Sequence, residues 1–268
     1  MRGNMNIKEG KFLETILAQK AQEVAQMPNE KAGKVRQTYK FYDYLKEHSD
    51  QLQIISEVKK ASPSLGDINL EVDIIAQAKN YEEAGAAMIS VLTDPVFFKG
   101  DIEYLREISQ NVTIPTLNKD FIIDKKQINR AVNAGATVIL LIVASFENEN
   151  EKLQELYNYA LSLGLEVLVE THNKAELDIA HQLGAKIIGV NNRNLKTFEV
   201  SLQNSLDLVP YFNEENVYIS ESGIFGKEEA NLVAPAFNGI LVGTALMKAE
   251  NLTKTLTDLK LKREKNEH

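Results

Sequence analysis

Residues 53–66, QIISEVKKASPSLG, open as a buried strand and close as a polar loop. Ile54, Ile55 and Val58 are branched and apolar, whereas Glu57 and Lys59 interrupt the run two residues apart, so on a strand of period two both charges point the same way. On an edge strand they would be an ordinary solvated pair. On an interior face each ion costs several kcal/mol to desolvate unless a partner or ligand compensates it. The turn-rich residues that follow, Ser62, Pro63, Ser64, Leu65 and Gly66, sit where α/β proteins place ligand contacts, just past the carboxyl end of a strand. That context favours a working site.

Outward from this stretch the chain alternates steadily. Strand-like apolar runs are expected at 53–59, 87–93, 113–119, 138–144, 166–171, 187–192, 217–222 and 239–244. Helical patterns lie between them, among them VDIIAQAKNYEEAG, IEYLREISQN, KKQINRAVNAG, ENEKLQELYNYALSLG, KAELDIAHQLG and KEEANLVA, several ending in Gly or Asn as helix C-caps do. The strands recur roughly every 21 to 34 residues, the length of one βα unit, and their near-continuous apolar character is that of parallel strands covered on both faces. An open doubly wound sheet and a closed barrel both fit, and eight beats favour the α/β class with a single (β/α)8 TIM barrel.

Residues 1–50 precede the first strand as an N-terminal helical extension. A helix from about Ile7 to Met27 would carry Phe12, Leu13, Ile16, Leu17, Val24 and Met27 on one stripe, with Lys and Glu opposite and Asn4 or Asn6 as a cap. A polar interval at 28–37 leads to a second short helix through Phe41, Tyr44 and Leu45. A last helix around Leu252 to Leu261 precedes a charged tail, KREKNEH, expected to fray. With no repeat and no interdomain linker, residues 1–268 read as one domain carrying that extension.

Composition narrows the function. The chain is 44% hydrophobic and 25% charged, has net charge −8 and contains no Cys and no Trp. Disulfides, thiolate metal sites and a cysteine nucleophile are excluded. The acidic balance without a basic stripe argues against nucleic acid. No run reaches bilayer length and the start lacks a signal-like apolar segment, so no membrane partner and a cytoplasmic location are expected. His48, His172, His181 and His268 lack ligand spacing, so no metal is expected.

In a barrel the reactive groups lie at the carboxyl ends of the strands. Those ends carry Glu57 and Lys59, Lys119, Glu170, then Asn191 with Arg193, then Glu221 with Ser222 and Gly223, and finally Gly243 and Thr244. Any one of them could be a solvated loop residue, but charges at four ends of one apolar mouth are costly without a ligand. The Ser-Gly and Gly-Thr pairs on adjacent strands, with a helix starting near Ala245, form a seat for phosphate. Small residues let backbone N–H groups approach an anion, and the hydroxyls add donors.

The segments ISEVKKASPSLGDI, ISVLTDPVFFKG, TLNKDFI, LVETHN, GVNNRNLKTF, ISESGI and VGTALM together resemble the indole-3-glycerol-phosphate synthase family of tryptophan biosynthesis, over nearly the whole chain. The resemblance implies a decarboxylating lyase with no cofactor. Its substrate would be a small anionic sugar phosphate bearing an anthranilate ring, 1-(2-carboxyphenylamino)-1-deoxyribulose 5-phosphate. By resemblance Lys119 is the acid at the ketone, Glu57 stabilises the developing positive charge, and Lys59 and Glu170 serve dehydration as acid and base. The two lysines could exchange roles, and Glu221 is a further active-site residue. Ser222, Gly223, Gly243 and Thr244 would hold the phosphate, and Asn191 and Arg193 the hydroxyls and carboxylate. Ser62, Pro63, Phe98 and Leu140 would surround the aromatic ring. Asn118, Thr171 and Thr244 depart from the family's usual residues; Thr244 keeps the hydroxyl. The sister isomerase of phosphoribosylanthranilate uses a cysteine base, which this chain lacks. A barrel that binds a sugar phosphate without turnover would have no use for the full set of charged ends.

Overall fold

A computed structural model describes residues 10–62 and 66–263. Eight parallel strands close into a barrel: β1 Gln53–Val58, β2 Met88–Leu92, β3 Thr116–Lys119, β4 Val138–Ile142, β5 Glu166–Thr171, β6 Ile187–Asn191, β7 Val217–Glu221 and β8 Gly239–Val242. The ring shuts where β1 pairs with both β2 and β8. All eight expected strands are present, most with trimmed ends. The third begins at Thr116 rather than 113, just after Pro115, which has no N–H to give to a ladder.

Side chains alternate along each strand. On β4, Ile139 and Leu141 pack outward under the helices, while Val138, Leu140 and Ile142 fill the barrel interior. Both faces are therefore covered, which is why these strands read as unbroken apolar runs. Each large apolar side chain so buried contributes roughly 1.5–3 kcal/mol.

The helices that follow the first five strands are α3 Ile74–Glu83, α4 Ile102–Asn111, α5 Lys125–Asn133, α6 Asn150–Ser162 and α7 Lys174–Gln182. Asp73, Asp101, Asp124 and Asn173 cap four of them by accepting backbone N–H donors. Two of these helices are followed by Gly135 and Gly164, at φ +92° and +90°, a left-handed turn that glycine makes without steric penalty. Three shorter helices and a last one complete the outer layer: α8 Gln203–Leu208, α9 Lys227–Val233, α10 Thr244–Met247 and α11 Leu252–Leu259. The polar segment behind α8 gave no helical pattern, and α8 adds a helix to those expected. A two-stranded hairpin, Ala61–Ser62 with Gly66–Asp67, projects beyond β1.

Ahead of β1 come α1 Phe12–Gln26 and α2 Phe41–Glu47. The first helix starts later than expected, behind Lys11, which makes no side-chain cap; Asn4 and Asn6 lie outside the described residues. Its buried face is Phe12, Ile16 and Lys20, spaced four apart, so one lysine expected on the wet side is fully buried. The extension spans the barrel from mouth to base. At the mouth Gly10 donates to the Lys196 carbonyl. The chain then descends α5: Lys126 Nζ reaches the Met27 carbonyl, Asn129 the Glu30 carbonyl and Asn133 the Lys31 carbonyl. At the base, Arg36 Nη2 donates to the Ile114 carbonyl at 2.7 Å, and Glu166, the first residue of β5, accepts from the backbone of Phe41 and Tyr42. Phe41 and Leu45 plug the interior from below.

The tail does not fray at its start. Lys262 bridges Gln51, while Arg263 donates to the carbonyls of Ser49 and Ala234. Residues 264–268 lie outside the described part of the chain.

Candidate active site

Strand parity assembles the site. Ile55, Leu117, Leu168, Ile187 and Ile219 point inward, so two residues further along β1, β3, β5 and β7 the inward positions are Glu57, Lys119, Glu170 and Glu221, and on β6 the fourth residue after Ile187 is Asn191. Register sets them side by side: Glu170 lies opposite Gly189 and Asn191 opposite Glu221. They form the floor of a cavity of about 560 Å³ at the barrel mouth. Lys59, Phe98, Leu140, Arg193, Ser222, Gly223, Gly243 and Thr244 also line it. Of the expected site residues, Pro63 lies outside the described residues and only the backbone of Ser62 is described.

Lys119 Nζ stands 3.4 Å from Glu221 and 3.7 Å from Glu170. Burial alone would lower its pKa, but Glu221, Glu170 and Glu57 outweigh that and hold it above the ordinary lysine range. The surrounding carboxyls thus favour its ammonium form. The second lysine, Lys59, pairs with Glu57 Oε1 at 3.0 Å. Ser90 Oγ donates to the other Glu57 oxygen at 3.4 Å.

The other two carboxyls differ. For Glu170, burial pushes upward, yet Lys119, His172 and Asn191 bring it well below the usual carboxylate range. For Glu221, burial dominates, Lys119 opposes it, and Glu170 and Glu57 add repulsion, so its pKa is raised. Among the described residues neither Glu221 oxygen has a hydrogen-bond partner.

Two glycines make room for these acids. A Cβ on Gly189 would stand 2.2 Å from Glu221 Oε1, and one on Gly243 would stand 2.7 Å from Glu57 Oε1. Gly243, expected as part of the phosphate seat, thus also clears space for the Glu57–Lys59 pair.

Asn191 is a hub rather than a free contact. Its Nδ2 donates to Glu170 Oε1 at 3.0 Å, while its Oδ1 accepts from the Arg193 backbone and from Ser222 Oγ, both at 2.9 Å. Regular alternation would turn Ser222 away from Glu221. The backbone instead enters the left-handed region at Ser222 and Gly223, at φ +67° and +82°, and both residues face the cavity. A non-glycine residue there costs roughly 1–2 kcal/mol. The helix behind Gly243 begins at Thr244, so its first residue lines the same cavity as Ser222 and Gly223.

Several contributors went unread in the sequence. Phe12 of α1, Phe121, Phe198 and Phe225 extend the aromatic lining. Lys20 sits between Asp94 and Asp120, 2.7 and 2.9 Å away and all with fully buried side chains; Asp120 is the residue after Lys119. Burial opposes its charge, but Asp120 and Asp94 hold its pKa above normal. Asp94 in turn accepts from the backbone N–H groups of Phe97 and Phe98. His172, two residues beyond Glu170, completes the set. No group of three or more His, Cys, Asp or Glu among the described residues is arranged to hold a metal ion.

A family model described as indole-3-glycerol phosphate synthase matches residues 13–259. An indole-3-glycerol phosphate synthase of Lactococcus lactis subsp. cremoris is 85% identical over 264 residues, covering 98% of this chain and 100% of the relative. One from Streptococcus pneumoniae is 67% identical over 250 residues, 93% of this chain and 97% of the relative. Among solved structures, 3-hexulose-6-phosphate synthase from Salmonella typhimurium aligns with TM-score 0.63 at 12% identity, covering 78% of this chain and 96% of that one, a likeness of fold alone.

Proposed function

The chain belongs to the indole-3-glycerol phosphate synthase family, and from that premise we propose how its own residues carry out the reaction. The substrate is 1-(2-carboxyphenylamino)-1-deoxyribulose 5-phosphate, whose ring closes with loss of carbon dioxide and water to indole-3-glycerol phosphate. The observation that carries the reading is Lys119, a buried ammonium between Glu170 and Glu221 at one end of a cavity whose opposite wall is the Ser222–Gly223 and Gly243–Thr244 cradle.

The phosphate lies against that cradle, where small residues and a helix start admit an anion. Arg193 takes the anthranilate carboxylate, which its planar fork of donors suits. Phe98 and Leu140 bracket the aromatic ring. Lys119 then donates to the ketone oxygen as the ring carbon attacks, and the positive charge spreading through the ring nitrogen is met by Glu57. Loss of carbon dioxide restores conjugation. Lys59, held by Glu57 at 3.0 Å, protonates the departing hydroxyl. Glu170 removes the last ring proton; a weak base suffices, because that loss makes the ring aromatic. Glu57, Lys59, Lys119 and Glu170 are the catalytic residues of this scheme, and Glu221 shapes the field around Lys119.

The protein as one domain with an N-terminal extension, at work in the cytoplasm on a free small molecule, belongs to the same proposal. Among the described residues no helix is long and apolar enough to cross a membrane.

The test is direct. Purified protein is incubated with the substrate while indole fluorescence and carbon dioxide are followed together; with no Trp in the chain, the product supplies the only indole signal. Equal release of both is expected. A protein that binds the substrate and releases neither would sink the reading.

A further inference from the structure

Glu170 and Glu221 are chemically alike and both lie close to Lys119 Nζ, at 3.7 and 3.4 Å, yet their surroundings differ. Behind Glu170 stands His172, with Nε2 3.1 Å from Glu170 Oε1, a charge contact rather than an aligned hydrogen bond. Its other nitrogen, Nδ1, lies 3.0 Å from Glu176 Oε2 on α7. Glu176 is itself anchored: the same oxygen accepts the His172 backbone N–H, and Oε1 accepts from Asn173 Nδ2. The imidazole is thus clamped between two carboxylates on both sides. Behind Glu221 no equivalent group exists among the described residues, and its side chain meets only Lys119, the floor left by Gly189 and the repulsion of Glu57 and Glu170.

Resting on the reading above, we propose that His172 is a positioning residue that acts through Glu170. Held as a cation between Glu170 and Glu176, it fixes negative charge on Glu170 and leaves the shared proton of the crowded carboxyls on Glu221. Three acids, Glu57, Glu170 and Glu221, converge on the mouth from β1, β5 and β7, facing Lys59 and Lys119. Like charges this close do not all ionise, and the proton settles on the member with least compensation. Asn191 Nδ2 adds a donor to the same Glu170 oxygen, Oε1, that faces His172, while Lys119 faces Oε2. The burial-driven rise at Glu221, the fall at Glu170 and the rise of His172 to about 10 agree with this division. The result is a base that is ionised and oriented before substrate arrives, beside a neutral acid that does not compete with it for Lys119.

H172Q removes the cation and keeps a polar side chain of similar reach. Its kcat/KM profile should rise toward neutrality with an acid limb displaced upward by about one pH unit or more, while KM at the pH optimum stays within roughly twofold. E176Q, which weakens the clamp from outside, should displace the limb in the same direction by less, and stands in if H172Q does not fold. A readout without turnover accompanies both: glutamate carboxyl carbons followed by 13C NMR across pH. In the wild type Glu221 titrates far above Glu170, and in H172Q the gap narrows. An acid limb and a titration gap both unmoved in the variants would overturn the proposal. A wild type that forms no indole product would overturn the functional reading instead, leaving the NMR comparison to judge His172 by itself.

Discussion

At the scale of single residues, the site depends on what is missing as much as on what is present. Gly189 has no Cβ, and the space is taken by the Glu221 carboxylate. Gly189→Ala should therefore force Glu221 off its place, costing roughly 1–3 kcal/mol by overpacking, read as a lower urea midpoint, together with a fall in kcat. Unchanged stability and turnover would mean that Glu221 has room to yield. Lys119→Ala should reduce turnover at least about a hundredfold with the fold intact by circular dichroism, since it removes a proton donor used in the transition state. Glu57, Lys119, Glu170, Asn191 and Glu221 were legible in the sequence because they stand at the carboxyl ends of apolar strand-like runs, where a barrel places its reactive groups. His172 was not. It follows the strand in a turn, where no period applies, and its meaning comes from Glu176 on the next helix. Ser222 was half legible: its hydroxyl marked it, but only its left-handed backbone brings it to the same side as Glu221.

At the scale of elements, α1 is a functional part of the rim. Its Lys20 ties Asp94, which orders the backbone of Phe97 and Phe98, to Asp120, the residue after Lys119. Lys20→Met leaves buried Asp94 without its cation and Asp120 with Arg130 alone, 3.4 Å away; this is expected to cost about 3–5 kcal/mol, and kcat should fall as the Lys119 end of β3 loosens. Lys20→Met with Asp94→Asn and Asp120→Asn should recover much of the stability, because the uncompensated charges are gone. If the triple variant is no more stable than the single one, the triad is not what the lysine serves. Periodicity placed α1 but misassigned Lys20, because a lysine within an amphipathic helix reads as solvent-facing unless its partners are known. The strands were easier: their buried residues are apolar on both faces, so the signal needs no knowledge of neighbours. Helix α8 escaped because its six residues, QNSLDL, are too few and too polar to display a stripe.

At the scale of the whole molecule, the charged mouth sets how stability varies with pH. His172 has its pKa pushed up to about 10 in the fold, so its contribution is fully present below its unfolded value near 6.5 and lost as pH rises through about 10. Glu221, with a raised pKa of about 8, contributes in the same sense, losing stability as pH climbs from the ordinary carboxylate range through that value. Glu170 acts oppositely: its depressed pKa gives stability above about 4.5 that disappears on acidification. The unfolding free energy from urea titration should accordingly be higher near pH 6 than near pH 9.5, by an amount of order a few kcal/mol, and fall again below pH 4. A flat profile from pH 6 to 10 would contradict the charge assignment. The extension that runs from mouth to base has a different consequence, for how the molecule is made. Gly33 waits for Asn133, 100 residues later, Phe41 for Glu166, 125 later, and the Tyr42 hydroxyl for Glu215, 173 later. During synthesis this segment leaves the ribosome well before its partners and is thus among the last parts to find its place, carrying Phe12 and Ile16 uncovered until most of the ring has been translated.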